Sequence, residues 1–196
     1  INGCDRVSNQ LKEIVGAWLT AIGAIVVAIG STPNTGLSNK IQRELNLVGN
    51  AMEAVGAGLV ADGQDSQLSL EYTGSVLSSI GSLESFTAIA IDFPAPTKTN
   101  ISIQGNLLQA LGSGISAADE FGDNTTLGAT EILIGNILQT IGSVIQAFGV
   151  KIQANDQDQG QNYIATGSWI QAIGAVLSAI GQQLEEAQEH KPNINE

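Results

Sequence analysis

The chain has 196 residues, and 43% of them are apolar, which is enough for a substantial core and excludes a disordered protein. The formal net charge of −12 argues against binding the phosphate backbone of a nucleic acid and disfavours docking on an anionic membrane surface. Charged residues make up only 13% of the chain, about half of the usual share, so much of the surface must be uncharged.

Glycine recurs at every seventh position in six successive segments, and this repeat predicts six helices with loops between them. The predicted helical windows are 14–30, 47–63, 72–88, 103–119, 133–149 and 165–181. The predicted loops are 31–36, 63–67, 92–100, 122–128 and 155–162. Short loops favour antiparallel neighbours, so the expected fold is all-α, with antiparallel hairpins forming a closely packed bundle or a short helical repeat array.

Each segment carries large apolar residues at two, three and six positions after its first glycine, such as Trp18, Leu19 and Ile22 in the first segment. These positions fall on one arc of a helix, so we expect them to form the core. Small residues occupy the positions one and five after that glycine, for example Ala17 and Ala21. Each helix is therefore predicted to have a bulky face and a thin face.

Glycine costs roughly 1 kcal/mol relative to alanine inside a helix. A chain with this many helical glycines therefore requires close helix packing to compensate for the loss of helix stability. The residues expected to form these close contacts are Gly16, Gly23, Gly30, Gly49, Gly56, Gly74, Gly81, Gly105, Gly112, Gly135, Gly142, Gly149, Gly167, Gly174 and Gly181.

The six windows cover about half of the chain but hold only four charged residues, Glu53, Asp62, Glu84 and Asp119. Ordinary surface helices carry a charged outer face, so the thin faces are expected to be covered by other helices or by other chains. We expect one domain over residues 1–196, with possible halves at 8–91 and 101–189 joined by a linker that contains Pro94 and Pro96. The tail from Glu185 is expected to be a solvated helix end.

No motif predicts an enzyme, a cofactor or a metal. Asp156, Asp158 and Gly160 resemble a calcium-binding loop faintly. Glycine occupies the fifth and twelfth positions of that loop, where calcium ligands belong, so a polar linker is favoured. Cys4 and His190 lie near opposite ends of the chain, which disfavours a nucleophile and base pair.

Trp18 and Trp169 occupy equivalent repeat positions. They are expected in the core, with a membrane interface or a lateral contact as the alternative.

The segments GAWLTAIGAIVVAIG, GNILQTIGSVIQAFG and GSWIQAIGAVLSAIG, together with NLVGNAMEAVGAGLVADGQ, resemble the glycine-heptad repetitive proteins of Bacillus-type spore-forming bacteria. The resemblance covers most of the chain. It implies a bacterial source and a cytoplasmic or spore-associated location, with export also open, and it supplies no activity or catalytic residue.

The leading functional expectation is a structural protein that associates with itself into a homo-oligomer, filament or ordered array. A membrane-active helical protein is the first alternative, because residues 14–30 and 163–184 are uncharged and nearly long enough to span a bilayer. The polar residues of the other segments and the mild mean hydropathy of +0.15 speak against it. A monomeric bundle that binds an apolar ligand is the second alternative.

Overall fold

The computed structural model describes residues 3–121 and 126–189, and it confirms the all-α prediction with six helices. They are α1 (Gly3–Ser31), α2 (Asn39–Gly63), α3 (Leu70–Ala90), α4 (Ala95–Asp119), α5 (Ala129–Gln153) and α6 (Gln157–Glu189). All six extend beyond the predicted repeat windows, and the connections at 91–94 and 154–156 are shorter than the loops predicted there.

Two predicted loops are partly helical. The prediction of a loop over 92–100 is wrong beyond Pro94, because α4 begins at Ala95 with Pro96 in its first turn. Proline is tolerated there, since the first amide groups of a helix have no partner within the helix. The predicted loop at 155–162 is likewise too long, because the Asp156 carboxylate accepts a hydrogen bond from the Gln159 amide at 3.0 Å and caps α6.

The six helices form a closed ring. Each helix packs against the helices before and after it in the chain, and α6 packs against α1, while the backbones of the other pairs of described helices do not come close to each other. The arrangement is therefore a barrel of three antiparallel hairpins, α1/α2, α3/α4 and α5/α6. The proline-containing linker connects the two helices of the second hairpin, and the division into halves at 8–91 and 101–189 stays a prediction.

Within each hairpin the two helices meet at paired glycines. A Cβ atom placed on Gly81 would lie 2.5 Å from the Gly105 carbonyl oxygen, and one placed on Gly105 would lie 2.7 Å from that of Gly81. The same reciprocal pairing joins Gly16 to Gly56, Gly23 to Gly49, Gly74 to Gly112, Gly135 to Gly174 and Gly142 to Gly167. Only glycine permits this approach, which brings Cα hydrogens against opposing carbonyl groups.

Between hairpins the seams contain alanine, serine and threonine. The Ser79 hydroxyl donates to the Ala54 carbonyl at 2.8 Å between α2 and α3, and the Thr140 hydroxyl donates to the Ala110 carbonyl at 3.4 Å between α4 and α5. The α6/α1 seam is a cluster of buried alanines: Ala21, Ala24, Ala28, Ala172, Ala175 and Ala179. These seams are wider than the glycine seams, because a Cβ atom is accommodated at each of them.

The bulky faces do not form the core, so that prediction is wrong. The residue six positions after each first glycine is exposed in every helix, from 42% at Ile80 to 56% at Val55. Apart from Val27 and Ile132, the buried apolar residues of the described chain are alanines. Glycine seams turn the thin faces inward, and the large apolar side chains therefore cover the outside of the barrel.

The two tryptophans lie on the outer α1/α6 seam. The Trp18 indole N–H donates to the Gln183 side chain at 3.2 Å, and the Trp169 indole N–H donates to the Thr32 hydroxyl at 2.9 Å. Trp169 is 42% exposed and Trp18 is half-buried. The prediction that both tryptophans are core residues is therefore wrong.

Candidate polar lumen

A ring of six side chains crosses the middle of the barrel, and we call it the central ring. Its members each lie four residues after a glycine of a central glycine pair. They are Val27, Glu53, Ser85, Gln109, Gln146 and Gln171, one from each helix. Because the opposing helix has glycine at that level, each side chain can pass over its backbone; a Cβ atom on Gly23, for example, would lie 3.0 Å from Cγ of Glu53.

A chain of hydrogen bonds runs through the central ring. The Gln171 amide donates to Oε1 of Gln109 at 3.4 Å, and the Gln109 amide donates to Oε2 of Glu53 at 3.2 Å. The Gln146 amide also donates to Oε1 of Gln171, and the Ser168 hydroxyl donates to Oε1 of Gln146 at 3.1 Å. Glutamine at three of the six positions therefore joins α4, α5 and α6 to α2 across the lumen.

Glu53 is the only acid in the central ring, and it is 3% exposed. Its Oε2 atom accepts from Gln109 and, at 3.5 Å, from the Ser82 hydroxyl. Its Oε1 atom is buried without a hydrogen-bond partner among the described residues. A buried carboxylate is costly unless it is paired, so this position is chemically the most unusual in the lumen.

A second ring lies one repeat nearer the end of the barrel where α1 begins. Its members follow the outer glycine pairs by four residues: Thr20, Val60, Ser78, Ser116, Gln139 and Ser178. The Gln139 amide donates to the Ser178 hydroxyl at 3.0 Å, which joins α5 to α6. Hydroxyl and amide groups therefore line this level as well.

Two cavities lie along the axis, and residues from all six helices line each of them. The one around the second ring has a volume of about 80 Å³. The one on the other side of the central ring has a volume of about 210 Å³, and Asn50, Glu53 and Asn106 are among its lining residues. That cavity shares Asn46, Lys98 and other lining residues with a vestibule of about 690 Å³ at the end where α1 terminates. The larger cavity thus adjoins the vestibule, and the hydrogen-bonded central ring lies between it and the smaller cavity.

The opposite end is strongly acidic. Glu186 is buried there, so the prediction of a solvated helix end from Glu185 onward is wrong for this residue. The Gln182 amide donates to a carboxylate oxygen of Glu13 at 3.0 Å. Burial, together with nearby Glu185 and Glu120, raises the pKa of Glu71 to about 8.

Among the described residues, no three His, Cys, Asp or Glu side chains come together as a metal site. Asp156 of the calcium-like segment caps α6. The Cys4 side chain and His190 lie outside the described part of the chain.

The predicted close-packing glycines lie on the seams, with Gly30 facing the Gln42 carbonyl, Gly149 facing Ile164 and Gly181 facing the Gly128 carbonyl. The polar rings are absent from the sequence prediction. Their signal is nevertheless regular: the position four after each first glycine is Thr20, Glu53, Ser78, Gln109, Gln139 or Gln171, and all six are polar.

The outer surface has the opposite character. Residues directly before glycines point outward, and among the exposed ones are Val15, Ile22, Ile29, Val48, Val55, Ile80, Leu111, Ile134, Ile141, Phe148, Ile173 and Ile180. Of the four charged residues in the repeat windows, Glu53 faces the lumen, while Asp62 and Asp119 are exposed near the acidic end. Glu84 lies three residues after Gly81, at mid-height, and lines neither axial cavity; it is half-buried, and its Oε2 atom has no hydrogen-bond partner among the described residues.

Three helical segments are long and apolar enough to cross a membrane: Val7–Ser31, Ala129–Gln153 and Gln157–Gln188. In α2, α3 and α4 the polar residues that reduce the hydropathy include the lumen-lining Glu53, Ser78 and Gln109.

A model for a family of unknown function, DUF6944, matches residues 11–179. The chain belongs to this family. The match runs from α1 to α6 and includes both polar rings. No curated protein and no solved structure matches the chain.

Proposed function

We propose that the protein is a membrane-embedded six-helix barrel that provides a polar path into or across the bilayer. One observation carries the proposal: large apolar side chains cover the outside of all six helices, while hydroxyl, amide and carboxyl groups line the inside. In water this distribution is unfavourable, because burial of large apolar surface is the main favourable term in folding. In a bilayer it is the expected one, since polar groups in membranes face the interior of the bundle.

The dimensions support a bilayer location. Each repeat window would span about 25 Å as a helix, close to the hydrocarbon thickness that a membrane helix must cross, and the windows 14–30, 133–149 and 165–181 contain no charged residue. Small-residue seams are typical of helices that associate in lipid, where close packing and not apolar burial drives association. Trp18 and Trp169 have their indole N–H groups directed towards opposite ends of the barrel, as residues at the two membrane interfaces would.

The proposal is tested by moving charge onto the outer surface. Val55 and Leu111 are 56% and 53% exposed, so in water Val55→Arg and Leu111→Arg should each change stability by less than about 0.5 kcal/mol. At the centre of a bilayer each arginine costs about 2.5–3.5 kcal/mol. We therefore expect the double variant to lose co-flotation with liposomes, with wild type and Thr35→Arg, an exposed loop variant, as controls.

Flotation of the double variant at the wild-type level would contradict the membrane location. A second assay measures release of small ions and of a large dye from liposomes. Release of ions without the dye is expected, because the central ring narrows the path.

Self-association is a second candidate function, and Glu84 favours it. Glu84 occupies the repeat position that Leu59 holds in α2. The Cβ atom of Leu59 packs against Gly16 of the neighbouring helix. A carboxylate at that height is unfavourable in lipid. We propose that a second copy covers this side of the barrel, which would give an oligomer or array. Light scattering of the detergent-solubilised protein distinguishes an assembly from a monomer.

No observation favours the apolar-ligand alternative. The axial cavities are lined mainly by hydroxyl- and amide-bearing side chains, together with alanine, valine and isoleucine residues, whereas sites for apolar ligands are lined predominantly by apolar and aromatic side chains.

A further inference from the structure

We propose that the lumen binds a small monovalent cation at Glu53, on the side of the central ring that faces the open vestibule. The site rests on the geometry of the lumen and goes beyond the membrane proposal, because it requires only that the barrel is folded. Its starting point is Glu53, which lines the cavity of about 210 Å³ and whose buried Oε1 atom has no hydrogen-bond partner among the described residues.

The surroundings of Glu53 supply neutral oxygen atoms. The amide nitrogens of Asn50 and Asn106 donate to the carbonyls of Asn46 and Ser102 at 2.7 and 2.9 Å, one turn earlier in their own helices. The side-chain oxygens of these two asparagines are therefore the polar atoms that remain for a ligand. Ser85 lines the same cavity, and its hydroxyl is buried without a hydrogen-bond partner in the described part of the chain.

The charge balance indicates a monovalent ion. Glu53 carries the only carboxyl group among the described residues that line the cavity, and burial raises its pKa to about 8, so it supplies one negative charge above that pH. Calcium sites in proteins instead combine several carboxylates with other oxygen ligands. One carboxylate and a set of amide and hydroxyl oxygens would neutralise a single positive charge and replace part of its hydration shell.

Lys98 lines the same cavity but does not serve as the counter-ion of Glu53. It lies in the first turns of α4, eleven residues before Gln109, which donates to Glu53. That separation is about 16 Å along the helix axis, too far for an ion pair.

The experiment is thermal unfolding of the purified full chain in detergent at about pH 9, where Glu53 with its pKa of about 8 is ionised. It compares sodium or potassium chloride with N-methylglucamine chloride at equal ionic strength. Equal ionic strength removes the general screening of the acidic chain. Binding to the folded state at ten times Kd would raise Tm by roughly 3 °C in the small-cation salt. Glu53→Gln retains the shape of the side chain and should abolish this rise.

Glu84→Gln is the matched control, because it removes a carboxylate of the same height from outside the lumen and should retain the rise. A wild-type Tm that is equal in all three salts overturns the site, as does a rise that persists in Glu53→Gln. If Glu53→Gln does not fold, Glu53→Asp replaces it, with a reduced rise as the expected result and an unchanged rise as the contrary one. Because the assay needs no bilayer, its outcome is separate from that of the flotation test.

Discussion

The inner and outer surfaces of the barrel are built from the same six helices but follow opposite chemistry. On α4, Gln109 points into the lumen and donates to Glu53, while Leu107, two residues earlier, is 49% exposed on the outside. Paired glycines set this orientation because two helices approach closest where neither has a side chain. The comparison teaches that small residues can determine which face of a helix is buried, even when larger apolar residues are available.

The largest expected effect comes from filling a glycine seam. A Cβ atom on Gly142 would lie 2.6 Å from the backbone nitrogen of Gln171, so Gly142→Leu should prevent folding of the third hairpin, and Gly174→Leu should act similarly. The loss should appear as reduced helical circular dichroism and a strongly lowered Tm. An unchanged Tm in both variants would contradict the role of the glycine seams.

The matched control lies on a seam between hairpins. A Cβ atom on Gly114 would meet the Thr140 hydroxyl at 3.7 Å, an ordinary contact. Gly114→Ala should therefore stabilise the fold by up to about 1 kcal/mol through helix propensity. Gly142→Ala should destabilise it by about 1–3 kcal/mol. Equal effects would show that the two kinds of seam do not differ.

A smaller effect on stability is expected when one polar side chain of the lumen is replaced by an apolar one. Gln109→Leu removes the donor to Glu53 and to the Ser82 hydroxyl, which it contacts at 2.7 Å, and leaves buried acceptors unpaired. The expected loss in the free energy of unfolding is about 1–3 kcal/mol, measured in detergent by chemical denaturation.

Leu107→Gln is the outer counterpart on the same helix. In detergent it should lower the free energy of unfolding less than Gln109→Leu does, because Leu107 is 49% exposed and its replacement leaves no buried hydrogen-bonding group unpaired. If the two variants are equally destabilised, the assignment of inner and outer faces on α4 is wrong.

A separate prediction concerns pH. Glu71 lies in the first turn of α3, at the acidic end of the barrel, and its pKa is raised from 4.5 to about 8. The unfolded chain therefore loses this proton at lower pH than the folded chain, so stability falls as pH rises from 4.5 to 8 and levels off above that range. Glu71→Gln should flatten this part of the profile of Tm against pH. An identical profile in wild type and variant would contradict the raised pKa.

The repeat gave a reliable prediction of the helices because glycine spacing and apolar periodicity both follow the α-helical turn. It failed for the faces, since periodicity shows that two faces differ and not which of them is buried. The usual assumption that bulky residues such as Ile141 form the core led to the error. The position four after each first glycine was the missing signal, because six polar residues in register on helices of low charge indicate a polar interior.

The shape of the lumen could not be read from the sequence. Closure of the ring depends on the packing of α6 against α1, two helices that lie at opposite ends of the described chain. The repeat alone is equally compatible with an open array of helices. The length of the connection before α4 was also overestimated. Pro94 and Pro96 were interpreted as a linker, although proline is well suited to a first helical turn.

The central claim is that lipid surrounds the outer surface, and site-directed spin labelling tests it most directly. Single cysteines replace Ile141 and Ile173 on the outside, with Thr35 in the loop as the aqueous reference, in a Cys4→Ser background reconstituted into liposomes. We predict that labels at 141 and 173 collide more with oxygen, which concentrates in the bilayer, than with a water-soluble nickel chelate, and that the label at 35 shows the reverse. Preference for the nickel chelate at all three positions would contradict the account.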